Sequence, residues 1–86
     1  MTGNALAPVP ASDDLAELAA AFTDWTIWES DAGRWYATRR QFLAERVRRF
    51  GLWATVHAAS LDSLAVELRQ QGRRATLALS VYGTLT

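Results

Sequence analysis

The sequence predicts an α+β fold, a two-layer sandwich in which an antiparallel three- to four-stranded sheet carries helices on one face. Three observations predict it. Two aromatic and β-branched runs, over 25–30 and 34–40, meet at a Ser-Asp-Ala-Gly break. A third alternating run occupies 52–58. Helix-spaced apolar residues stand before the first run and after the third.

Residues 1–11 hold Gly3, Pro8 and Pro10 among small residues and read as a flexible lead-in to one domain over 12–86. Ser12 is a suitable N-cap, and Asp13 and Asp14 would sit well in a first turn, where the helix dipole favours carboxylates. Leu15, Leu18, Ala19 and Phe22 then give a helix over 13–22.

The strands 25–30 and 34–40 form a hairpin. Ser30 and Asp31 suit the start of its turn, and Gly33 accepts the positive φ at the end of a three-residue loop. That register sets Ser30 against Arg34, Trp28 against Tyr36 and Ile27 against Ala37. A two-residue loop is the competing register. Side chains alternate between faces along a strand. One face therefore carries Trp25, Ile27, Trp35 and Ala37 and is the core candidate. The other carries Thr26, Trp28, Tyr36, Thr38 and Arg40.

Residues 41–50 read as a helix or helical loop, with Leu43, Val47 and Phe50 on one face and Gly51 as its C-terminal cap. In the strand 52–58, Leu52, Ala54, Val56 and Ala58 face one way, and Trp53, Thr55 and His57 the other. Ser60 caps a helix over 61–71 striped by Leu61, Leu64, Ala65 and Leu68, and Gly72 is placed to end it. Residues 75–82 alternate strictly, which predicts a fourth, edge strand; a frayed or partner-pairing tail is the alternative.

Charge is uneven along the chain. The net charge is 0, which argues against simple electrostatic capture of nucleic acid or of a membrane surface. Six carboxylates and no base precede Arg34. From Arg34 onward there are nine arginines against three carboxylates, so the two parts carry about −6 and +6. There is no cysteine, hence no disulfide and no thiolate metal site. No apolar run reaches membrane-spanning length and no secretory leader is recognisable, so a cytoplasmic location without membrane contact is expected.

Trp25-x-Ile27, Gly33-Arg34-Trp35-Tyr36-Ala37-Thr38-Arg39 and Val56-x-Ala58-x-Ser60-Leu61-x-x-Leu64 together resemble a group of small actinobacterial proteins that has no settled activity. The element order over about 13–71 also resembles the α-β-β-β-α arrangement of HicB-like antitoxins and double-stranded-RNA-binding domains. Two departures matter. The last helix of a double-stranded-RNA-binding domain starts on a lysine-rich phosphate-binding stretch, and here it starts Ser60-Leu61-Asp62-Ser63-Leu64, apolar and acidic. HicB-like antitoxins carry a separate DNA-binding element, which this sequence lacks. Neither function transfers with the resemblance.

No motif for catalysis stands out. His57 is the lone histidine; Ser60 and Asp62 lie near it in sequence but are accounted for as cap and first-turn residues. No metal-ligand spacing and no glycine-rich phosphate loop is present, so neither a cofactor nor a metal is expected and the chain reads as a non-enzyme. The expected function is a small protein-interaction or regulatory module, self-associating or bound to a protein partner. Its candidate surface is Trp28, Tyr36, Trp53 and His57, on the sheet face for which the sequence provides no helix. The alternative is a nucleic-acid-binding regulator that uses the basic cluster Arg39, Arg40, Arg46, Arg48 and Arg49 on phosphates or an acidic partner.

Overall fold

The computed structural model describes residues 8–86, with side chains from 14 onward. Its elements are α1 (Pro8–Ala21), β1 (Trp25–Glu29), β2 (Trp35–Arg39), a 3₁₀ helix (Glu45–Phe50), β3 (Thr55–Ala58) and α2 (Leu61–Tyr82). The strands form one antiparallel sheet in the order β1-β2-β3. The fold is α+β.

The hairpin adopts the three-residue register. Trp28 pairs with Tyr36 and Ile27 with Ala37. Ser30 donates its N–H to the Arg34 carbonyl over 2.8 Å, and Gly33 donates to the Ser30 carbonyl over 2.9 Å. Gly33 takes φ 82°, the left-handed value that closes such a loop at no Cβ cost. The Ser30 hydroxyl oxygen also accepts the Arg34 N–H at 3.2 Å.

A first core lies between the sheet and the helices. Trp25, Ala37, Val56, Ala58, Leu64 and Leu68 are buried in it, and Leu18, Phe22, Ile27 and Trp35 pack around them. Both helices thus lie on the face that the strand alternation assigns to the core. A second core joins the far half of α2 to the 3₁₀ helix and the C-terminal residues. Val47, Leu52 and Ala78 are buried there, with Leu43, Phe50, Ala75, Tyr82 and Leu85 packed against them. The Ala44 N–H donates to the Leu85 carbonyl over 2.8 Å and closes that side.

The structure departs from the expected elements at several places. The helix expected over 13–22 begins earlier, at Pro8, so Ser12 lies inside α1 and not at its cap. Pro8 and Pro10 fall in the first turn, where the missing N–H groups would have had no helical partner. Of the expected lead-in, 1–7 lies outside the described residues and 8–11 is helical. Of the two readings of 41–50 the helical loop is the one found: it is wound only over Glu45–Phe50, as a 3₁₀ helix, and Gly51 closes it at φ 81° as expected.

The strand expected over 52–58 begins only at Thr55, because 51–53 is bent against α2 by hydrogen bonds to Gln71. The largest difference concerns 75–82, which is helix and not an edge strand. Leu61–Tyr82 is one continuous helix, capped by the Ser60 hydroxyl oxygen, which accepts the Ser63 N–H at 3.1 Å. It runs through Gly72 and stops at Gly83, at φ 76°. Ala75, Ala78 and Tyr82 recur at helical spacing and fill the second core. Leu77, Leu79 and Val81, the inner face of the expected strand, are exposed instead.

Candidate functional site

The sheet face opposite the helices carries one row of side chains from each rung of the ladder. Register places Trp28, Tyr36 and His57 side by side across the three strands. The Trp28 and Tyr36 rings are stacked, 5.3 Å between centroids and 14° between planes. Tyr36 and His57 are 5.6 Å apart and tilted by 39°. This geometry suits the quadrupoles of neighbouring rings. Arg34 donates from Nη2 to Nδ1 of His57 over 2.8 Å and extends the row towards the hairpin loop. An arginine can only donate, so Nδ1 is the acceptor in this contact.

The next rung is hydroxylic. Thr26 pairs with Thr38 and Thr38 with Thr55, and the Thr38 and Thr55 hydroxyls lie 3.1 Å apart. Beyond it the Arg39 N–H bonds the Ala54 carbonyl and the Arg40 N–H bonds the Asp24 carbonyl, which continues the register and sets Arg40 opposite Trp53. Trp28 is 42% exposed and Trp53 57%. A shallow groove over Trp53, Thr55 and His57 wraps round the outer edge of β3 to Val56 and Glu67. The three strands with their flanking residues put Thr26, Trp28, Ser30, Arg34, Tyr36, Thr38, Arg40, Trp53, Thr55 and His57 on this side; the same register sets Asp24 beside Arg40, and Glu67 lines the groove at Trp53.

Trp53 is fixed from beneath. Its N–H donates to Oε1 of Gln71 over 3.0 Å, and its carbonyl accepts Nε of Arg39 at 3.0 Å. Gln71 is 1% exposed, yet three hydrogen bonds satisfy it. Oε1 also accepts from Nη2 of Arg39 at 3.0 Å, and Nε2 donates to the Gly51 carbonyl at 3.0 Å. The same carbonyl accepts from Nη1 of Arg74 at 3.1 Å. The main chain of Trp53 is thereby clamped between β2 and α2, and the indole projects from a rigid base.

The surface expected from Trp28, Tyr36, Trp53 and His57 is brought together on one sheet face. The basic cluster is not. Arg39 faces the core: its guanidinium lies 4.3 Å over the Trp25 ring, and burial holds its pKa below the ordinary arginine value, with the Asp24 carboxylate pulling in the opposite direction. It is a structural clip. Arg40 belongs to the open face. Arg46 and Arg49 both lie over Tyr82, at 5.2 and 5.6 Å, and Arg49 also lies 5.3 Å from Phe50. Arg46 further donates to the Thr86 carbonyl over 3.2 Å. Arg48 is exposed on the 3₁₀ helix.

Two residues of consequence escaped the sequence reading. Gln71 stands in the apolar stripe of α2, at helical spacing from Leu64, Leu68, Ala75 and Ala78, and that misplaced polarity is the signal that marks it. Arg34 shares the parity of Tyr36 and so had to join it on the open face. Among the described residues no group of three or more His, Cys, Asp or Glu is placed to hold a metal ion, and no helix is long and apolar enough to cross a membrane. No family model, no curated protein and no solved structure matches this chain.

Proposed function

We propose that the chain is a small non-catalytic interaction module whose working surface is the open face of the sheet. One observation carries the reading: two large indoles, Trp28 and Trp53, stand half in water on a face that also holds Arg34, Arg40, His57 and a row of threonine hydroxyls. An aromatic patch left uncovered forgoes burial energy of roughly 25 cal/mol per Å² that a partner would recover. Tryptophan and arginine are also the side chains that dominate binding hot spots. The clamp beneath Trp53 lowers the entropy that binding would otherwise cost.

Self-association would use an edge in preference to this face. Two copies stacked face to face would set Arg34 and Arg40 against the same charges of the other copy. β3 ends the sheet and offers its outer edge to a second β3. Light scattering at rising concentration should then show a dimer weakened by Trp53→Glu, and a monomer at every concentration would reject it.

The module reading is tested by capture from a lysate of the native host on immobilised wild-type protein and on a Trp28→Ala/Trp53→Ala variant. The proposal expects specific partners, identified by mass spectrometry, on the wild type alone. Equal capture on both would overturn it.

A further inference from the structure

We infer that the open face binds single-stranded nucleic acid, stacking bases on Trp28 and Trp53 and holding phosphates with Arg34 and Arg40. The inference rests on the reading of this face as the working surface and names the ligand class for it.

Consecutive rungs of one face are two residues apart, roughly 7 Å along the strand. Aromatic rings stand at two stations: the Trp28–Tyr36–His57 row, and Trp53, four residues from His57 on the same chain segment, roughly 13 Å away. The rung between them is Thr26–Thr38–Thr55, which offers hydroxyl donors and acceptors to base edges or sugars. Arg34 lies outside the first station and Arg40 beside the second, six residues apart along the β2 segment, roughly 20 Å. An extended strand of a few nucleotides can thus meet a ring, a hydroxyl row, a ring and a cation at each end. Stacking platforms combined with a basic track are the general means of holding single strands, because every base has a π face.

The alternatives fit less well. A duplex keeps its bases stacked inside and offers these rings nothing to stack on. A second copy meets like charge. An acidic peptide would use Arg34 and Arg40 but leave the indoles without planar partners. The zero net charge of the chain does not oppose a local contact of this kind. It sets its salt dependence: two phosphate contacts on a single strand give a slope of log K against log salt of about −1.4. Glu67, at the outer rim of the groove beside Trp53, sets the limit of the track on that side.

The test is fluorescence anisotropy with labelled oligothymidylate, oligouridylate and a duplex of matched length, on the full chain at low salt and then in a salt series. Both single strands should bind and the duplex should not. Trp28→Ala and Trp53→Ala should each weaken binding at least about fivefold. Arg34→Ala and Arg40→Ala should each weaken it and bring the salt slope about 0.7 closer to zero. An Arg46→Ala/Arg48→Ala/Arg49→Ala variant should bind within about twofold of wild type, because those arginines lie outside the face.

Trp28→Leu and Trp53→Leu, which keep apolar bulk but remove the aromatic surface, repeat the test if an alanine variant fails to fold. No binding of either single strand at low salt overturns the inference. So does equal binding of the duplex, or loss of binding only in the triple arginine variant. If the oligonucleotides fail while lysate capture still depends on Trp28 and Trp53, the nucleic-acid inference falls alone. If both fail, the reading of the face falls with it.

Discussion

Trp25 and Trp28 are three residues apart on β1 and stand on opposite faces of one sheet. Trp25 is 6% exposed, roofed by the Arg39 guanidinium and packed into the first core. Trp28 is 42% exposed and leans on Tyr36 across the strand. The same side chain serves as structure on one side and as surface on the other, and strand parity alone decides which. The sheet therefore divides the molecule: the packed cores lie on the helix side, and the exposed aromatic rings, Trp28 and Trp53, lie on the open side. Gln71 connects the two, because it is buried on the helix side yet fixes the main chain of Trp53.

Substitutions on either side can break this division. The largest effect is expected at Trp25→Ala, about 3–5 kcal/mol by urea denaturation, since the change leaves a cavity beneath a half-buried guanidinium. A loss under about 1 kcal/mol would mean that the faces are reversed. Gln71→Leu should cost about 2–3 kcal/mol, because the Trp53 N–H and Nη2 of Arg39 lose their shared buried acceptor. It should also speed hydrogen exchange at the Trp53 amide, which a merely local cavity would leave slow. Gly72→Ala should stabilise by about 1 kcal/mol, as glycine in a helix interior is replaced by the best helix former. No atom lies within 4 Å of the added Cβ. A destabilisation would place the end of α2 at Gly72. The mildest loss is expected at Trp28→Ala, about 1–2 kcal/mol for the aromatic pair and the covered part of the indole together, even though this variant should lose binding.

How far the sequence discloses this molecule depends on how local the deciding physics is. The hairpin was legible because Ser30 to Gly33 set their own turn and alternation does the rest. The Ser60 cap and the two faces of β3 were legible for the same reason. The fate of 75–82 was not. Its strict alternation imitates a strand, while the helical signal rests on Ala75 and Ala78, which are too small to stand out. What selects the helix is the second core, built by Val47 and Leu52 from a distant segment, together with the stop at Gly83. Gly72 and Gly83 look alike in sequence; only the packing of Tyr82 says which one ends α2.

The site divides in the same way. Trp28, Tyr36, Trp53 and His57 could be placed together by parity. Arg39 and Arg40 read as one cluster although the parity rule sends adjacent residues to opposite faces. Applied to charges as strictly as to apolar residues, that rule removes Arg39 from the cluster and adds Arg34 to the face. Gln71 needed the contact partners, since nothing local to α2 reveals the bent main chain at 51–53 that it satisfies.

The division of the sheet is tested most directly by fluorine NMR on protein carrying fluorotryptophan at all four indole positions, with a soluble paramagnetic chelate added in steps. Single Trp→Phe substitutions assign the resonances. Trp28 and Trp53 should broaden first and strongly, Trp35 less, and Trp25 least. Broadening of Trp25 alongside Trp28, or protection of Trp28 and Trp53 in dilute solution, would contradict the account of one packed face and one open face.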